Sequence, residues 1–177
     1  MAKSTYIALL RGINVGGKNL LPMRALAALC EEAGCKDVRT YIQSGNVVLR
    51  AEAKLASALA GKLGTAIKRG FGFEPPIVLR SVEELARVAA GNPFINHEPQ
   101  TLHVAFLAHA PNKEAARSLE PQPPDEFVLS GREIYLRCPN GYGKTKLTNA
   151  WFDARLKTVS TVRNWKTVLT LLEMARA

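Results

Sequence analysis

Residues Arg11-Gly12-Ile13-Asn14-Val15-Gly16-Gly17-Lys18-Asn19 place three glycines, two asparagines and two cations in nine positions. A glycine-rich loop between a strand and a helix can aim several backbone N–H groups at one anion. The spacing approaches the phosphate-loop pattern Gly-x4-Gly-Lys-Ser/Thr, but Asn19 stands where a hydroxyl would hold Mg²⁺. No strand clearly ends in the aspartate that nucleotide hydrolysis needs. The loop therefore predicts anion binding through Arg11, Asn14, Gly16, Gly17, Lys18 and Asn19 without hydrolysis. The plainer reading is that its glycines turn the chain tightly after a strand.

A second loop has related chemistry. Cys138-Pro139-Asn140-Gly141-Tyr142-Gly143-Lys144-Thr145 ends in Gly-Lys-Thr, with Cys138 where the first phosphate-loop glycine belongs. Lys144, Thr145 and Lys146 add donors, and Tyr142 could stack on a base. A solvated surface turn explains the same residues. The third group is Thr161-Val162-Arg163-Asn164-Trp165-Lys166-Thr167, read as a strand entering a helix. There a helix N-terminus favours anions, Arg163 could hold a phosphate bidentately, and Asn164 and Trp165 would lie alongside. The competing reading makes Thr161 a helix cap, Trp165 a core residue and Arg163 a surface ion pair.

Thr40-Tyr41-Ile42-Gln43-Ser44-Gly45-Asn46 is no nucleophile elbow, because Ile42 and Asn46 replace both glycines of Gly-x-Ser-x-Gly. Ser44 and Asn46 read as hairpin residues that can also face a ligand. His103 and His109 share strand-like even spacing, but no carboxylate is placed to complete a site. The three cysteines have no Cys-x-x-Cys spacing, so neither a disulfide framework nor a zinc ribbon follows. No metal or cofactor is expected.

The chain has 177 residues, 24 basic against 15 acidic, for a net charge of +9. That balance favours anionic partners: nucleic acid, nucleotides, phosphorylated metabolites or an acidic protein. No apolar run approaches the roughly 20 residues of a membrane helix, and no signal-peptide cleavage pattern is seen. A cytoplasmic protein without membrane contact is expected.

The elements that must position these residues follow one order twice. In the first half strands are expected near 5–11, 38–43, 47–50 and 76–80, with helices at 22–33 and 52–68 and a helix after Ser81. Ser81 and Glu84 have capping-box spacing. In the second half strands are expected at 102–108, 126–129, 133–137 and 157–161. Helices are expected at 112–119, 146–155 and from 163 onward. Ser44-Gly45 and Ser130-Gly131 mark the two central hairpins. The order predicts an α+β fold of two ferredoxin-like (βαββαβ) halves with antiparallel sheets and packed helices. Residues 1–90 form the first half, 91–100 a linker and 101–177 the second half with a C-terminal helix. In this scheme the first strand is taken to end at the edge opposite the central hairpin. Lys18 and Ser44 would then stay apart, and a single site would require the two halves to meet.

Arg-Gly-Ile-Asn-Val-Gly-Gly-Lys-Asn at 11–19, Thr-Tyr-Ile-Gln-Ser-Gly-Asn at 40–46 and Asn-Pro-Phe at 92–94 occur in order with two further motifs. These are Thr-Lys-Leu-Thr-Asn at 145–149 and Thr-x-Arg-Asn-Trp-x-Thr at 161–167. Together they resemble the bacterial family known as domain of unknown function 1697. The resemblance implies a two-part α+β fold and supplies no reaction. The favoured reading is a module that binds a phosphate-bearing ligand, nucleic acid ahead of nucleotide. The alternative is a metal-independent enzyme acting on a small anionic substrate, with Asp153 and Glu133 the nearest titratable residues.

Overall fold

The structure is a computed structural model that describes residues 1–177. Its elements follow the order β1 (Lys3–Leu10), α1 (Met23–Glu32), β2 (Lys36–Tyr41), β3 (Asn46–Glu52), α2 (Ala53–Phe71), β4 (Ile77–Ser81) and α3 (Val82–Ala90). The order then repeats as β5 (Leu102–Leu107), α4 (Lys113–Arg117), β6 (Glu126–Ser130), β7 (Glu133–Arg137), α5 (Asn149–Leu156), β8 (Ser160–Asn164) and α6 (Trp165–Arg176). The strands form two four-stranded antiparallel sheets, ordered β2-β3-β1-β4 and β6-β7-β5-β8. Each is a ferredoxin-like βαββαβ set followed by one further helix.

Contacts divide the chain into two compact units. The first comprises residues 1–85 with 171–177, and the second comprises 86–170. In the first unit, Ala8, Leu10, Val47 and Leu49 meet Leu26 and Cys30 of α1 and Leu59, Leu63 and Ile67 of α2 in one apolar core. In the second, Ala105, Leu107, Ile134 and Leu136 meet Phe152 and Leu156 of α5. Period-2 alternation on the strands and 3.6-residue spacing on the helices put these residues on facing surfaces. The alternate strand residues Ile7, Leu9, Val104 and Phe106 are buried as well, so the segments 7–10 and 104–107 are apolar on both faces. No helix is long and apolar enough to cross a membrane.

The two sheets match in register as well as in order. Leu10 N–H donates to Gly45 O at 2.8 Å, and Leu107 N–H donates to Arg132 O at 2.8 Å. Arg11 N–H reaches Pro76 O at 2.9 Å, as Ala108 N–H reaches Val159 O at 2.8 Å. Ile7 pairs with Arg80, and Val104 pairs with Arg163. Counting from these anchors, Arg80 and Arg163 occupy equivalent positions, and both are buried. The residue after each arginine caps the following helix. Glu84 N–H donates to Ser81 Oγ at 3.2 Å while Ser81 N–H donates to Glu84 Oε2 at 2.8 Å, the reciprocal capping box. Thr167 N–H donates to Asn164 Oδ1 at 2.8 Å.

Several boundaries differ from the sequence reading near the C-terminus. The α5 helix starts at Asn149 rather than 146, because Thr148 accepts the Trp151 N–H and caps it. Lys157 closes α5 in the left-handed region, φ +56°, so β8 begins only at Ser160. Pairing with β5 then carries β8 through Asn164. Arg163 is therefore a strand residue, and Asn164, not Thr161, is the helix cap.

Candidate functional site

Residues 11–21 close on themselves. Asn14 N–H donates to Asn19 O at 3.0 Å, and Lys18 N–H donates to Val15 O at 3.0 Å. Val15 and Lys18 form a bridge around Gly16 and Gly17, whose φ values of +58° and +72° make a mirror-image two-residue turn. Asn19 Nδ2 donates to Gly12 O at 3.0 Å. The loop is a miniature hairpin, and the conformations of Gly16 and Gly17 serve its turn. Lys18 and Asn19 at its tip are exposed, and Arg11 at its base is half-buried.

The Asn14 side chain ties this loop to the rest of the unit. Its Nδ2 donates to Leu21 O at 2.9 Å and to Gln43 O at 2.9 Å. Its Oδ1 accepts the Leu21 N–H at 2.8 Å. Gln43 belongs to the turn between β2 and β3, so the first and second motifs lie side by side. The expectation that the end of β1 lies opposite the central hairpin is thereby corrected. β1 and β3 are antiparallel, with Leu9 opposite Asn46, so the last residue of β1 and the first of β3 share one edge. In the turn, buried Asn46 donates through Nδ2 to Ser44 Oγ at 2.9 Å and to Tyr41 O at 3.1 Å. Ser44 is a hairpin residue held by Asn46.

Gly45 has φ +82°, and a Cβ there would lie 2.7 Å from Leu10 Cβ and 2.9 Å from Ile13 Cδ1. Only glycine fits this approach of the turn to β1. Ile42 has φ +48°, an uncommon conformation for a β-branched residue. Val15, Leu20 and Ile42 are all more than half exposed. Strained backbone held in place by its surroundings is characteristic of interaction sites.

The second unit handles its Gly-Lys-Thr loop similarly. Gly141 N–H donates to Cys138 O at 3.0 Å, and a short 3-10 turn over Tyr142–Lys144 follows. Thr145 Oγ1 donates to Asp125 Oδ2 at 2.6 Å and accepts the Leu147 N–H at 3.0 Å. Lys144 and Lys146 are exposed. Asp125 is absent from the sequence reading, since the 20 residues separating it from Thr145 leave no local signal. Arg163 is only 8% exposed. Its Nη1 donates to Thr161 Oγ1 at 2.8 Å and to Val162 O at 3.0 Å, and burial pulls its guanidinium down to about 10. Trp165 is a core residue.

Asp153, one of the two titratable candidates, is engaged in structure. Asp153 Oδ1 accepts from Ser160 N–H at 2.8 Å and from Ser160 Oγ at 2.7 Å, which fastens α5 to β8. Burial pushes the Cys30 thiol up to about 12 and the Cys138 thiol up to about 11, so both stay protonated and unreactive. No three His, Cys, Asp or Glu side chains converge to hold a metal ion.

His103 is 8% exposed, stacks on Tyr142 with ring centroids 4.8 Å apart, and has a buried Nδ1 without a hydrogen-bond partner. Burial lowers its pKa, against a smaller opposing contribution from the Thr101 backbone, so the folded chain favours the neutral ring. The unfolded chain takes up a proton near pH 6.5 that the folded chain refuses. Stability should therefore fall as the pH drops below about 6.5, until the lower folded pKa is reached. His103→Phe keeps the stacking and should flatten this part of the curve of unfolding free energy against pH. Equal slopes for the two proteins would contradict the assignment.

The sequence profile of the family described as Protein of unknown function (DUF1697) matches residues 3–135. No curated protein matches the chain. Among solved structures, the conserved bacterial protein SP0830 from Streptococcus pneumoniae is similar, with a TM-score of 0.76 and 24% identity. The alignment covers 98% of this chain and 99% of that one, and the likeness is one of fold.

Proposed function

The chain belongs to the family Protein of unknown function (DUF1697), and from that premise we propose that it is a binding module for phosphate-bearing ligands, with nucleic acid ahead of free nucleotide. One observation carries the preference. The two glycine-lysine loops turn many of their polar groups inward, while Lys18, Lys144 and Lys146 remain exposed. A nucleotide is best held by a cradle of converging backbone donors, and these loops spend the Asn14 and Lys18 amides on their own turns. Exposed lysines suit a phosphate backbone that passes over the surface. The net charge of +9 adds long-range attraction. The three cysteines are free thiols, which fits a reducing, cytoplasmic setting.

Such contacts attract phosphate without reading bases, so binding should be weak, salt-sensitive and indifferent to sequence. Fluorescence anisotropy with single-stranded and duplex oligonucleotides over a salt series measures this directly. Lys144→Ala and Lys146→Ala should each reduce the slope of log affinity against log salt by about 1. No binding at about 50 mM salt would remove nucleic acid and favour the alternative, an enzyme acting on a small anionic substrate.

A further inference from the structure

We infer that β6 is a self-complementary edge through which two copies of this chain join their second-unit sheets into one. In the order β6-β7-β5-β8, β6 has a neighbour on one side only. Exposed sheet edges are normally blunted by charge, proline, bulges or cover. The equivalent edge of the first unit follows that rule. β2 carries Lys36, Asp37 and Arg39, its register shifts between Lys36 and Arg39, and Asp37 has φ +50°. β6 does not. Its pairing with β7 runs unbroken from Glu126 to Ser130, it contains no lysine or proline, and Val128 at its centre is 41% exposed. A groove of about 530 Å³ flanks it, walled by Phe94, Leu119, Pro121, Pro123, Phe127 and Val128.

Backbone phase selects the partner. Ser130 and Glu133 flank a two-residue turn, so they form a hydrogen-bonded pair, and such pairs then alternate along the ladder. Glu126, Val128 and Ser130 thus direct their N–H and C=O groups toward β7. Phe127 and Leu129 direct theirs outward. A second β6, antiparallel and related by a twofold axis at Val128, sets Phe127 of one copy opposite Leu129 of the other. Each such pair exchanges two backbone hydrogen bonds, which makes four in all. Side chains match in the same register. Val128 meets Val128 of the second copy, Glu126 meets Ser130, and the diagonal neighbour of Glu126 is Arg132. No like charges face one another, although the chain carries +9 overall. Such an isologous contact uses the same edge on both copies and so closes after two.

Sedimentation equilibrium of the full chain tests this. The wild type should show a concentration-dependent species of twice the 19.3 kDa chain mass. Val128→Lys places two ammonium groups face to face and should weaken dimerisation at least about tenfold, with an unchanged thermal melt of the monomer because the position is exposed. Val128→Glu should do the same alone. An equimolar mixture of the two variants should recover the dimer, since Lys then faces Glu across the axis. A wild type still monomeric at about 100 μM overturns the inference. So does a dimer that tolerates Val128→Lys, or a mixture that fails to recover.

Discussion

Gly45→Ala is expected to destabilise the protein by about 3 kcal/mol, combining left-handed backbone strain with overpacking. The new methyl would meet Leu10 Cβ at 2.7 Å and Ile13 Cδ1 at 2.9 Å. Neither neighbour can withdraw easily. Leu10 is the last residue of β1 and fully buried, and its N–H donates to Gly45 O at 2.8 Å. Ile13 is 1% exposed beneath the loop. The φ of +82° adds strain whatever space is found. Gly61→Ala is the control. Gly61 lies inside α2 with nothing within 4 Å of the added Cβ. There the substitution should stabilise by about 0.5–1 kcal/mol through helix propensity. Urea denaturation of both variants reads out the two opposite signs. A Gly45→Ala chain as stable as the wild type would show that the turn can move away from β1, and the account of this edge would fail.

Local chemistry made much of the fold legible in the sequence. Ser81 and Glu84 cap α3 reciprocally, and Asn112 caps α4 by accepting the Ala115 N–H at 2.8 Å, as their spacing indicated. The Ser-Gly pairs lie at both central turns. Features decided by distant pairing were harder to read. Arg163 follows the mixed run Thr158-Val159-Ser160-Thr161-Val162 and precedes a helix, so a helix start there is a fair local reading. Its place in β8 comes from the pairing of Val104 with Arg163 and of His103 with Asn164 across the sheet. The buried Arg80 in Ile77-Val78-Leu79-Arg80 carries no local signal, and its equivalence to Arg163 emerges only from the matched registers. The adjacency of residues 11–19 and 40–46 could have been deduced from strand direction. β1 and β2 run the same way, because one helix joins them, so β1 ends beside the hairpin that follows β2. Asn14 and Asn46 are polar and lie beside glycines, the local signature of a ligand contact as well as of a turn. In the structure the same properties serve turns, through the Asn14 bonds to Leu21 and Gln43 and the Asn46 bonds to Tyr41 and Ser44.

Asn14→Ala should cost about 3 kcal/mol, the loss of three hydrogen bonds at about 1 kcal/mol each. Asn14 sits at φ +53°, a conformation that asparagine tolerates better than alanine. Its amide links the loop directly to the β2–β3 turn through Gln43 O, while its Oδ1 and Nδ2 hold both backbone groups of Leu21. Asn14→Asp separates the two halves of this role. The carboxylate still accepts the Leu21 N–H, but it turns an acceptor toward the Leu21 and Gln43 carbonyls in place of the donor. Asp should therefore be no more stable than Ala, despite its near-identical shape and its ease at positive φ. Thermal unfolding of the two variants beside the wild type gives the comparison. Lys18→Ala provides the contrast, because an exposed side chain at the tip of the same loop should leave stability within about 0.5 kcal/mol. If Asn14→Asp matched the wild type, the amide donors would contribute nothing, and the loop would be held by its turns alone. If Lys18→Ala destabilised as much as Asn14→Ala, the loop tip would be structural too, and the separation between inward polar groups and outward cations on which the proposed binding rests would disappear.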